Sequence, residues 1–399
     1  MSRSDIEKRY YFESFRRKYH QASKKVKGQL LDEFCRVGGY KRKYATKLLS
    51  KRKSGRPATP NKRGRKSRYD CPDFLKALKK LWFLTECMCS KLLKEAIPNW
   101  IPFYELHYGA LGEDVRVKLL AISPRTIDRV LAPTKASFGK GKSGTKPGKM
   151  LRSQIPISTE CWDTTIPGYL EADTVAHCGG SLEGNFIWSV TAVDIATTWT
   201  ELRVTWNKGA HGVIEQITDI ENMLPFPLKG FDCDNGSEFL NQHLVKHFTN
   251  PKTKTLRVAF TRSRAYHKND NAHVEQKNWS HARQLLGYQR LGFAELVPLI
   301  NDLCRNEFSL LRNHFYPTFK LDQKIMVKTR YKRIYGDPVT PYQRVIQSEH
   351  VPEEMKKSLI DLHQKLDPIK LKLKMERKLK NIFALLKKLQ KKHESFNAA

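Results

Sequence analysis

Residues 168–178 read GYLEADTVAHC, and the next two segments read NFIWSVTAVDIATT (185–198) and TWTELRVTW (198–206). In all three, β-branched and aromatic residues are frequent and apolar side chains alternate with others, which is the pattern of strands. The loops that connect the segments are short, and the first is rich in glycine. Short loops between consecutive strands indicate an antiparallel meander.

The chain after this meander alternates between helical and strand patterns. We expect a helix over 210–224, a strand over 229–233, the turn Asp234-Asn235-Gly236-Ser237, a second helix, a strand over 257–262 and a helix that begins near Asp270. Together with the meander, these segments make five strands joined by helices. The predicted fold class is therefore α/β, with a mixed five-stranded sheet.

Three acids fall where such a sheet can bring them together. Asp173 lies in the middle of the first strand, Asp234 at the end of the fourth, and Glu275 in the first turns of the last helix. Carboxylates about 5 Å apart repel by roughly 3 kcal/mol at an effective dielectric constant near 20, and a divalent cation offsets this cost. Oxygen ligands favour magnesium or manganese. Two such ions can activate an attacking oxygen and stabilise the leaving oxygen of a phosphodiester.

Neighbouring acids compete with two of these assignments. Glu171 shares a strand face with Asp173, and Asp232 shares one with Asp234, because side chains alternate between the faces of a strand. Periodicity therefore leaves both pairs open. Asp270 precedes the last acid but is better placed to cap the helix that starts there.

The contexts of the three acids resemble those of the DDE transposases of bacterial insertion sequences. These contexts are LEADTV (170–175), DNGSEF (234–239) and KNDNAHVEQKNW (268–279). The resemblance implies a ribonuclease-H-like integrase catalytic core, of the superfamily that includes retroviral integrases. It also selects Asp173, Asp234 and Glu275 as catalytic residues and as ligands of Mg²⁺ or Mn²⁺, with two ions expected.

The resemblance extends over most of residues 28–346. Its further blocks are GYKRKY (39–44), ISPRTIDR (122–129), LGYQR (286–290) and TPYQR (340–344). The separation between the second and third acids slightly exceeds the thirty-odd residues usual in the superfamily. The N-terminal His-His-Cys-Cys zinc module of retroviral integrases has no counterpart in this sequence, and the predicted helix-turn-helix elements take its place in the chain order.

The charge of the chain favours a polyanionic partner. The 399 residues carry a net charge of +33, concentrated in basic runs at 51–68, 135–152 and 370–392. Several separate basic runs are typical of proteins that contact nucleic acid over many surfaces. No apolar stretch has the length of a membrane span or of a signal peptide core, so we expect the bacterial cytoplasm and no membrane partner.

Two helical segments before the core are candidates for DNA binding. Residues 28–50 predict two helices around a Gly38-Gly39 turn, the spacing of a helix-turn-helix. Ser123 is expected to cap a second candidate helix that begins at Pro124. Packing helices with no DNA contact are the alternative for both. The proposed contacts are Arg42, Lys43, Lys47, Arg125 and Arg129, with Arg56 in a minor-groove hook or a plain linker.

Basic and amide side chains around the third acid can also meet phosphates. The candidates are Arg262, Arg264, Lys268, Lys277, Asn278 and Arg283. Residues 313–345 interleave tyrosine and phenylalanine with Lys and Arg, which fits a DNA-binding appendage or a packing lid. The last fifty residues predict a helix with Leu379, Ile382, Leu386 and Leu389 on one stripe, for subunit or DNA contacts.

These patterns predict six regions. They are a helix-turn-helix region with a basic arm (1–70), a second all-α, helix-turn-helix domain (71–132), a basic flexible linker (133–157), the catalytic core (158–290), a C-terminal basic and aromatic appendage (291–346) and a basic helical tail (347–399). No nucleotide cofactor is predicted. Gly141-Lys142-Ser143 resembles part of a phosphate loop, but position 136, where the first glycine is needed, is alanine.

The function that follows is that of a transposase or integrase. It would bind the ends of a mobile element, hydrolyse phosphodiester bonds and join the released 3′ hydroxyl ends to target DNA by transesterification. The partners are double-stranded DNA, both element ends and target, and the resemblance implies a homo-oligomer on DNA. Two alternatives remain: a DNA-binding regulator or domesticated transposase with the core as scaffold, and a ribonuclease-H-like nuclease that cuts without joining.

Overall fold

The protein is described from a computed structural model. The structure describes residues 3–50, 68–137, 165–233, 239, 242–262, 274, 277–327 and 330–397. The chain divides into two compact units, Met1–Ser67 and Arg68–Ala399.

The first unit contains three helices in its described part: α1 (Arg3–Gln21), α2 (Lys24–Gly38) and α3 (Arg42–Ser50). Its core includes Phe34 and Leu49, which are buried along with residues of α1. Gly39 adopts a left-handed φ of 67°, and its amide donates to the Cys35 carbonyl, which ends α2. Glycine suits this position because it has no side chain to clash there.

The second unit is built around two sheets and a larger number of helices. Its strands are β1 (Tyr169–Ala176), β2 (Ile187–Asp194), β3 (Thr200–Trp206), β4 (Gly230–Cys233), β5 (Ala259–Arg262), β6 (Leu321–Val327) and β7 (Arg330–Tyr335). Its helices before residue 250 are α4 (Pro72–Leu84), α5 (Ser90–Tyr108), α6 (Glu113–Ala121), α7 (Pro124–Ser137), α8 (Ala210–Met223) and α9 (Gln242–Phe248).

The later helices include two π-helical stretches. In chain order, the later helical segments are π1 (Asn278–Arg283), α10 (Gln284–Leu286), α11 (Leu296–Leu303), π2 (Cys304–Phe308), α12 (Ser309–Phe315), α13 (Pro341–Gln347), α14 (Glu353–Lys365) and α15 (Pro368–Asn397). A π-helical turn is rare and is often found at functional sites.

The main sheet has five strands in the order β3-β2-β1-β4-β5. β1 pairs antiparallel with β2, and β2 antiparallel with β3, whereas β4 runs parallel to both β1 and β5. The predicted meander and the mixed five-stranded sheet are thus confirmed. β1 occupies the centre, between an antiparallel and a parallel neighbour.

Helices cover both faces of this sheet. Leu170, Ala172 and Phe231 on one face belong to a buried cluster with Val213 and Ile217 of α8. A second cluster contains side chains of β1, β2 and β3 together with residues of α4 to α7, α10, α11, π2, α12 and α15. Because adjacent β1 residues alternate between faces, Glu171 and Asp173 lie on the face opposite Leu170 and Ala172.

Helices α4 to α7, which come just before the sheet in the sequence, belong to the same compact unit as the sheet. The indole N–H of Trp100 in α5 donates to the Phe315 carbonyl of α12 at 3.3 Å, and both side chains are buried. Ser123 accepts the Thr126 amide at 3.3 Å, so the predicted cap of α7 is confirmed. α7 continues through Pro133 to Ser137, into the segment 133–157 that the sequence predicts to be a linker. The domain boundaries predicted within this unit stay predictions.

The C-terminal helix packs against the protein itself. The predicted stripe of α15 is confirmed: Ile382 and Leu386 are buried in the larger cluster, and Leu379 and Leu389 pack against it. β6 and β7 form a separate two-stranded sheet. Among the helices of the described ranges, none combines the length and the apolar character that crossing a membrane requires.

Candidate active site

Asp173 lies at the centre of the sheet, on β1, opposite Thr191 of β2. One carboxylate oxygen, Oδ1, accepts the Thr174 backbone N–H at 2.7 Å, and the other, Oδ2, accepts the Asn278 amide Nδ2 at 2.6 Å. The side chain is half-buried. Two donors on one carboxylate restrict its rotation.

Asn278 connects the π-helix to the central strand. It is the first residue of π1, and its side-chain bond to Asp173 spans 105 positions in the sequence. The phosphate contact that the sequence suggests for this asparagine stays a prediction. The sequence does not predict its pairing with Asp173, because spacing within a motif gives no information on which strand an amide will face.

Glu171 has a different environment from Asp173. Its side chain is 2% exposed, and its Oε2 accepts the Val274 backbone N–H at 3.3 Å. Val274 is itself buried and helical. Glu171 therefore contacts the backbone of the residue just before Glu275 from inside the protein, and the choice between Glu171 and Asp173 as the catalytic acid stays a prediction.

Asp232 likewise has a partner within the sheet. Its Oδ1 accepts the hydroxyl of Thr261 on β5 at 2.6 Å. The parallel register pairs Glu171 with Asp232 and Ala172 with Cys233. The two competing acids, Glu171 and Asp232, are thus neighbours across β1 and β4.

Two of the three predicted catalytic acids, Asp234 and Glu275, lie outside the described residues. So do three predicted DNA contacts, Arg56, Arg264 and Lys268. Within the described residues, no group of three or more His, Cys, Asp or Glu side chains is arranged to hold a metal ion. Asp173 is the one member of the predicted triad whose surroundings are described.

Two polar atoms beside Asp173 are buried without a hydrogen-bond partner in the described part of the chain. They are Oγ1 of Thr191, across the strand pair, and Oδ1 of Asn278. Buried polar atoms ordinarily find a partner, so each such atom calls for an explanation, and an unseen water or ion is one. Both atoms are oxygens that could act as acceptors or ligands beside the Asp173 carboxylate.

The described DNA-contact candidates are mostly on the surface. Lys43 and Lys47 of α3 are exposed, while Arg42 forms an ion pair with Asp32 of α2. Arg125 and Arg129 are exposed on α7.

The candidates near the sheet differ from one another. The guanidinium of Arg283 lies 5.2 Å from the ring centroid of Tyr288, whose side chain is exposed. Arg262 ends β5. Lys277 is half-buried, and desolvation together with the charges of Arg312 and Arg344 lowers the pKa of its ammonium to about 7. All these phosphate contacts stay predictions.

Two of the sequence blocks contain arginines that fix loops around the sheet. Arg290 donates to the carbonyls of Cys178 and Ser181, in the loop between β1 and β2. Arg344 donates to Oγ1 of Thr198 at 2.8 Å and to Oγ1 of Thr318 at 2.6 Å. The LGYQR and TPYQR blocks thus contribute anchoring side chains, which the sequence does not distinguish from DNA-contacting ones.

His177 follows β1 and is fully buried. Its Nε2 lies 3.1 Å from the Ser189 hydroxyl, and desolvation with the nearby charge of Arg283 lowers its pKa to about 3. A histidine with this pKa is neutral at physiological pH. It packs beside the strand and is unsuited to exchanging protons with a substrate.

The sequence has a relative that it matches over most of its length. Over 331 residues the chain is 37% identical to y4rM of Sinorhizobium fredii, described as an uncharacterized protein; the match covers 82% of this chain and 91% of the relative. The chain belongs to the y4rM family. No family model matches the sequence.

Solved structures similar to this member of the y4rM family include retroviral integrases. The integrase catalytic core of HTLV-2 in complex with magnesium is 14% identical, and the match covers 39% of this chain and 93% of that chain with a TM-score of 0.28. An intasome of simian T-cell lymphotropic virus in complex with PP2A regulatory subunit B56 gamma is 14% identical, with 63% of this chain and 75% of that chain covered and a TM-score of 0.32. The catalytic core of BIV integrase is 15% identical, with 46% of this chain and 96% of that chain covered and a TM-score of 0.27. At TM-scores this low, the likeness decides neither the fold nor the role of any residue.

Proposed function

We propose that the chain is a metal-dependent polynucleotidyl transferase, a transposase or integrase that cuts the ends of a mobile DNA element and joins them to target DNA. The observation that carries the proposal is the pair of contacts between β1 and the segment around Glu275. Val274 and Asn278, one residue before and three after this acid, bind Glu171 and Asp173. The first and third sequence blocks of the resemblance thus meet at the central strand.

The register of β4 supports a position for Asp234 in the same site. Ala172 pairs with Cys233 in the parallel ladder, and the residues that follow these two in the sequence are Asp173 and Asp234. Neighbouring parallel strands lie about 4.8 Å apart. We infer that the two carboxylates face one space, on the sheet face that also bears Glu171 and Asp232.

A divalent cation fits the donor set that this arrangement assembles. Asp173, Asp234 and Glu275 would supply oxygen ligands, and each carboxylate oxygen has two lone-pair positions, so the bonds to Thr174 and Asn278 leave room for ligation. When bound, Mg²⁺ would offset the repulsion among the carboxylates and stabilise charge on the phosphodiester oxygens. The Asn278 amide would hold the Asp173 carboxylate in one orientation, which preorganises the site.

The helices outside the sheet would supply DNA binding. Lys43 and Lys47 on α3, and Arg125 and Arg129 on α7, are exposed cations on helices that follow turns. Such helices can enter the major groove and read bases with their first residues. Element ends and target would have to be held together during joining, so we propose that the protein works as a homo-oligomer on DNA.

The proposal is tested with the purified chain, Mg²⁺ and a duplex that carries the terminal sequence of the element, identified as inverted repeats that flank the gene. We expect cleavage at the end of the repeat and covalent joining to a second duplex, seen as strand products on a sequencing gel. Cleavage without joining would indicate the nuclease instead. Specific binding to the repeat without cleavage would indicate the regulator.

A further inference from the structure

The C-terminal helix α15 separates its apolar and basic side chains onto opposite sides. Leu371, Met375, Ile382 and Leu386 are buried against the body of the protein. Eight basic residues of the same helix are exposed: Lys370, Lys374, Arg377, Lys380, Lys387, Lys388, Lys391 and Lys392. At 3.6 residues per turn, these eight fall within an arc of roughly 140°.

Ion pairs neutralise few of these charges. Two other lysines of α15 form ion pairs with acids elsewhere in the described part of the fold. Lys372 binds Glu86 at 2.6 Å, and Lys378 binds Glu307 at 2.6 Å. Of the eight exposed residues, Lys370 alone has an ion pair within the described part of the chain, at 3.9 Å from Asp367. Among the described residues, few acids therefore offset the positive charge that this helix presents to solvent.

The length of this basic face matches a feature of duplex DNA. From Lys370 to Lys392 the helix rises about 33 Å, close to the ~34 Å of one turn of B-form DNA. A rigid row of cations of this length can meet several phosphates at once and release their counterions. An anionic membrane suits it less, because an interfacial helix inserts its apolar face into the lipid, and that face is buried here.

We propose that the exposed basic face of α15 binds the backbone of double-stranded DNA without regard to its sequence. That the partner is DNA and not another polyanion rests on the proposed function. The exposed positive charge of α15 is independent of that proposal. The face would hold DNA outside the terminal repeat, either flanking DNA or target. It would add to affinity and not to sequence preference, because contacts with phosphates position DNA but do not read bases.

The test measures the salt dependence of binding by the full chain to a random-sequence duplex, without metal, by fluorescence anisotropy. The variant Lys387→Gln, Lys388→Gln, Lys391→Gln, Lys392→Gln is compared with wild type. Each neutralised phosphate contributes about 0.9 to the slope of log affinity against log salt, so loss of four contacts lowers the slope by up to about 3.6. We expect a decrease of this order, with unchanged circular dichroism since the four side chains are exposed.

A matched control removes the same charge elsewhere. Lys252, Lys254, Lys357 and Lys365 are exposed on other segments, and their replacement by Gln should leave most of the slope intact. An equal loss in both variants, or no loss in the α15 variant, would overturn the inference. So would loss of binding to phosphatidylserine vesicles or to duplex RNA with no effect on DNA.

The outcome is separable from that of the proposed function. The assay uses neither the terminal repeat nor Mg²⁺, so a smaller slope in the α15 variant supports the inference even if no DNA is cleaved. Conversely, cleavage and joining by wild type together with an unchanged slope would overturn the inference and leave the proposed function standing.

Discussion

At the scale of single residues, the decisive contact is the one between Asn278 and Asp173. The amide donates to one carboxylate oxygen at 2.6 Å while the Thr174 backbone N–H occupies the other. The sequence identifies Asp173 through its motif but leaves Glu171 open as a rival, because both share a strand face. Their environments differ, since Glu171 is buried and accepts the Val274 amide while Asp173 is half-buried, and the assignment of Asp173 stays a prediction.

We expect Asn278→Ala to weaken divalent-metal binding by about 10- to 100-fold, the usual effect of removing a side chain that orients a metal ligand. Binding of Mn²⁺ followed by electron paramagnetic resonance would measure it. Asn306→Ala is the matched control, because Asn306 donates to Asp302 at 2.7 Å on an exposed helical surface. Equal Mn²⁺ affinity in wild type and Asn278→Ala would show that Asn278 does not orient a ligand.

His177 makes a prediction about stability and pH. Its pKa is about 3 in the folded protein and about 6.5 when unfolded, so below pH 6.5 the unfolded chain binds a proton that the folded one does not. The free energy of unfolding therefore falls by about 1.4 kcal/mol for each pH unit from 6.5 towards 3 on account of this residue. In His177→Gln this contribution is absent. The stability advantage of wild type over the variant should shrink accordingly as the pH falls.

Urea unfolding of both proteins at several pH values between about 7 and 5 would measure that difference. A constant gap between the two proteins across this range would mean that His177 takes up its proton with the same pKa in the folded and the unfolded chain. It would then be a candidate for proton exchange after all.

At the scale of elements, the sequence predicts the sheet because β-branched and aromatic residues are frequent in its strands and short loops connect the first three. The sequence predicts the helix after Asp270 but not its π-helical stretch, Asn278–Arg283. A π-helical turn depends on tertiary contacts at a few residues, and no local pattern announces it. The end of α7 also differs from the prediction: Pro133 fits inside a helix here, although proline usually favours a break.

Helix α3 makes a prediction about DNA recognition. We expect the double variant Lys43→Gln, Lys47→Gln to bind the terminal repeat more weakly, because both cations are exposed on the second helix of the turn at Gly39. The control is Lys24→Gln, Lys25→Gln at the start of α2, which removes the same charge from exposed positions. Electrophoretic mobility shifts with repeat and random duplexes would measure both. Equal effects of the two variants would assign α3 to general charge and not to recognition.

At the scale of the whole molecule, one buried cluster joins segments that are far apart in the sequence. Trp100 of α5, Val204 of β3 and the stripe of α15 all belong to it. The sequence does not predict this shared cluster, because the spacing of apolar residues identifies the apolar face of each element but not the element against which it packs. The burial of the α15 stripe leaves the basic residues of that helix exposed, and contact with a second subunit or with DNA stays a prediction.

This shared cluster predicts how the chain tolerates truncation. We expect residues 158–290 alone to be insoluble or unfolded, because Ile187 and Leu202 of the sheet would lose the apolar cover that α11 and α12 provide. Residues 68–399 should fold as a unit. Amide proton dispersion in NMR spectra of the two fragments would measure this, and a well-folded 158–290 fragment would contradict it.

The central claim is that Asp173 is a metal-binding catalytic carboxylate together with Asp234 and Glu275. The most direct measurement is joining of element ends to target DNA with Mg²⁺ by wild type, Asp173→Asn, Asp234→Asn, Glu275→Gln and the neighbouring control Glu171→Gln. We predict that the three triad variants lose joining while still binding DNA, and that Glu171→Gln, which keeps an acceptor for the Val274 amide, retains it. Full joining by any triad variant would contradict the account.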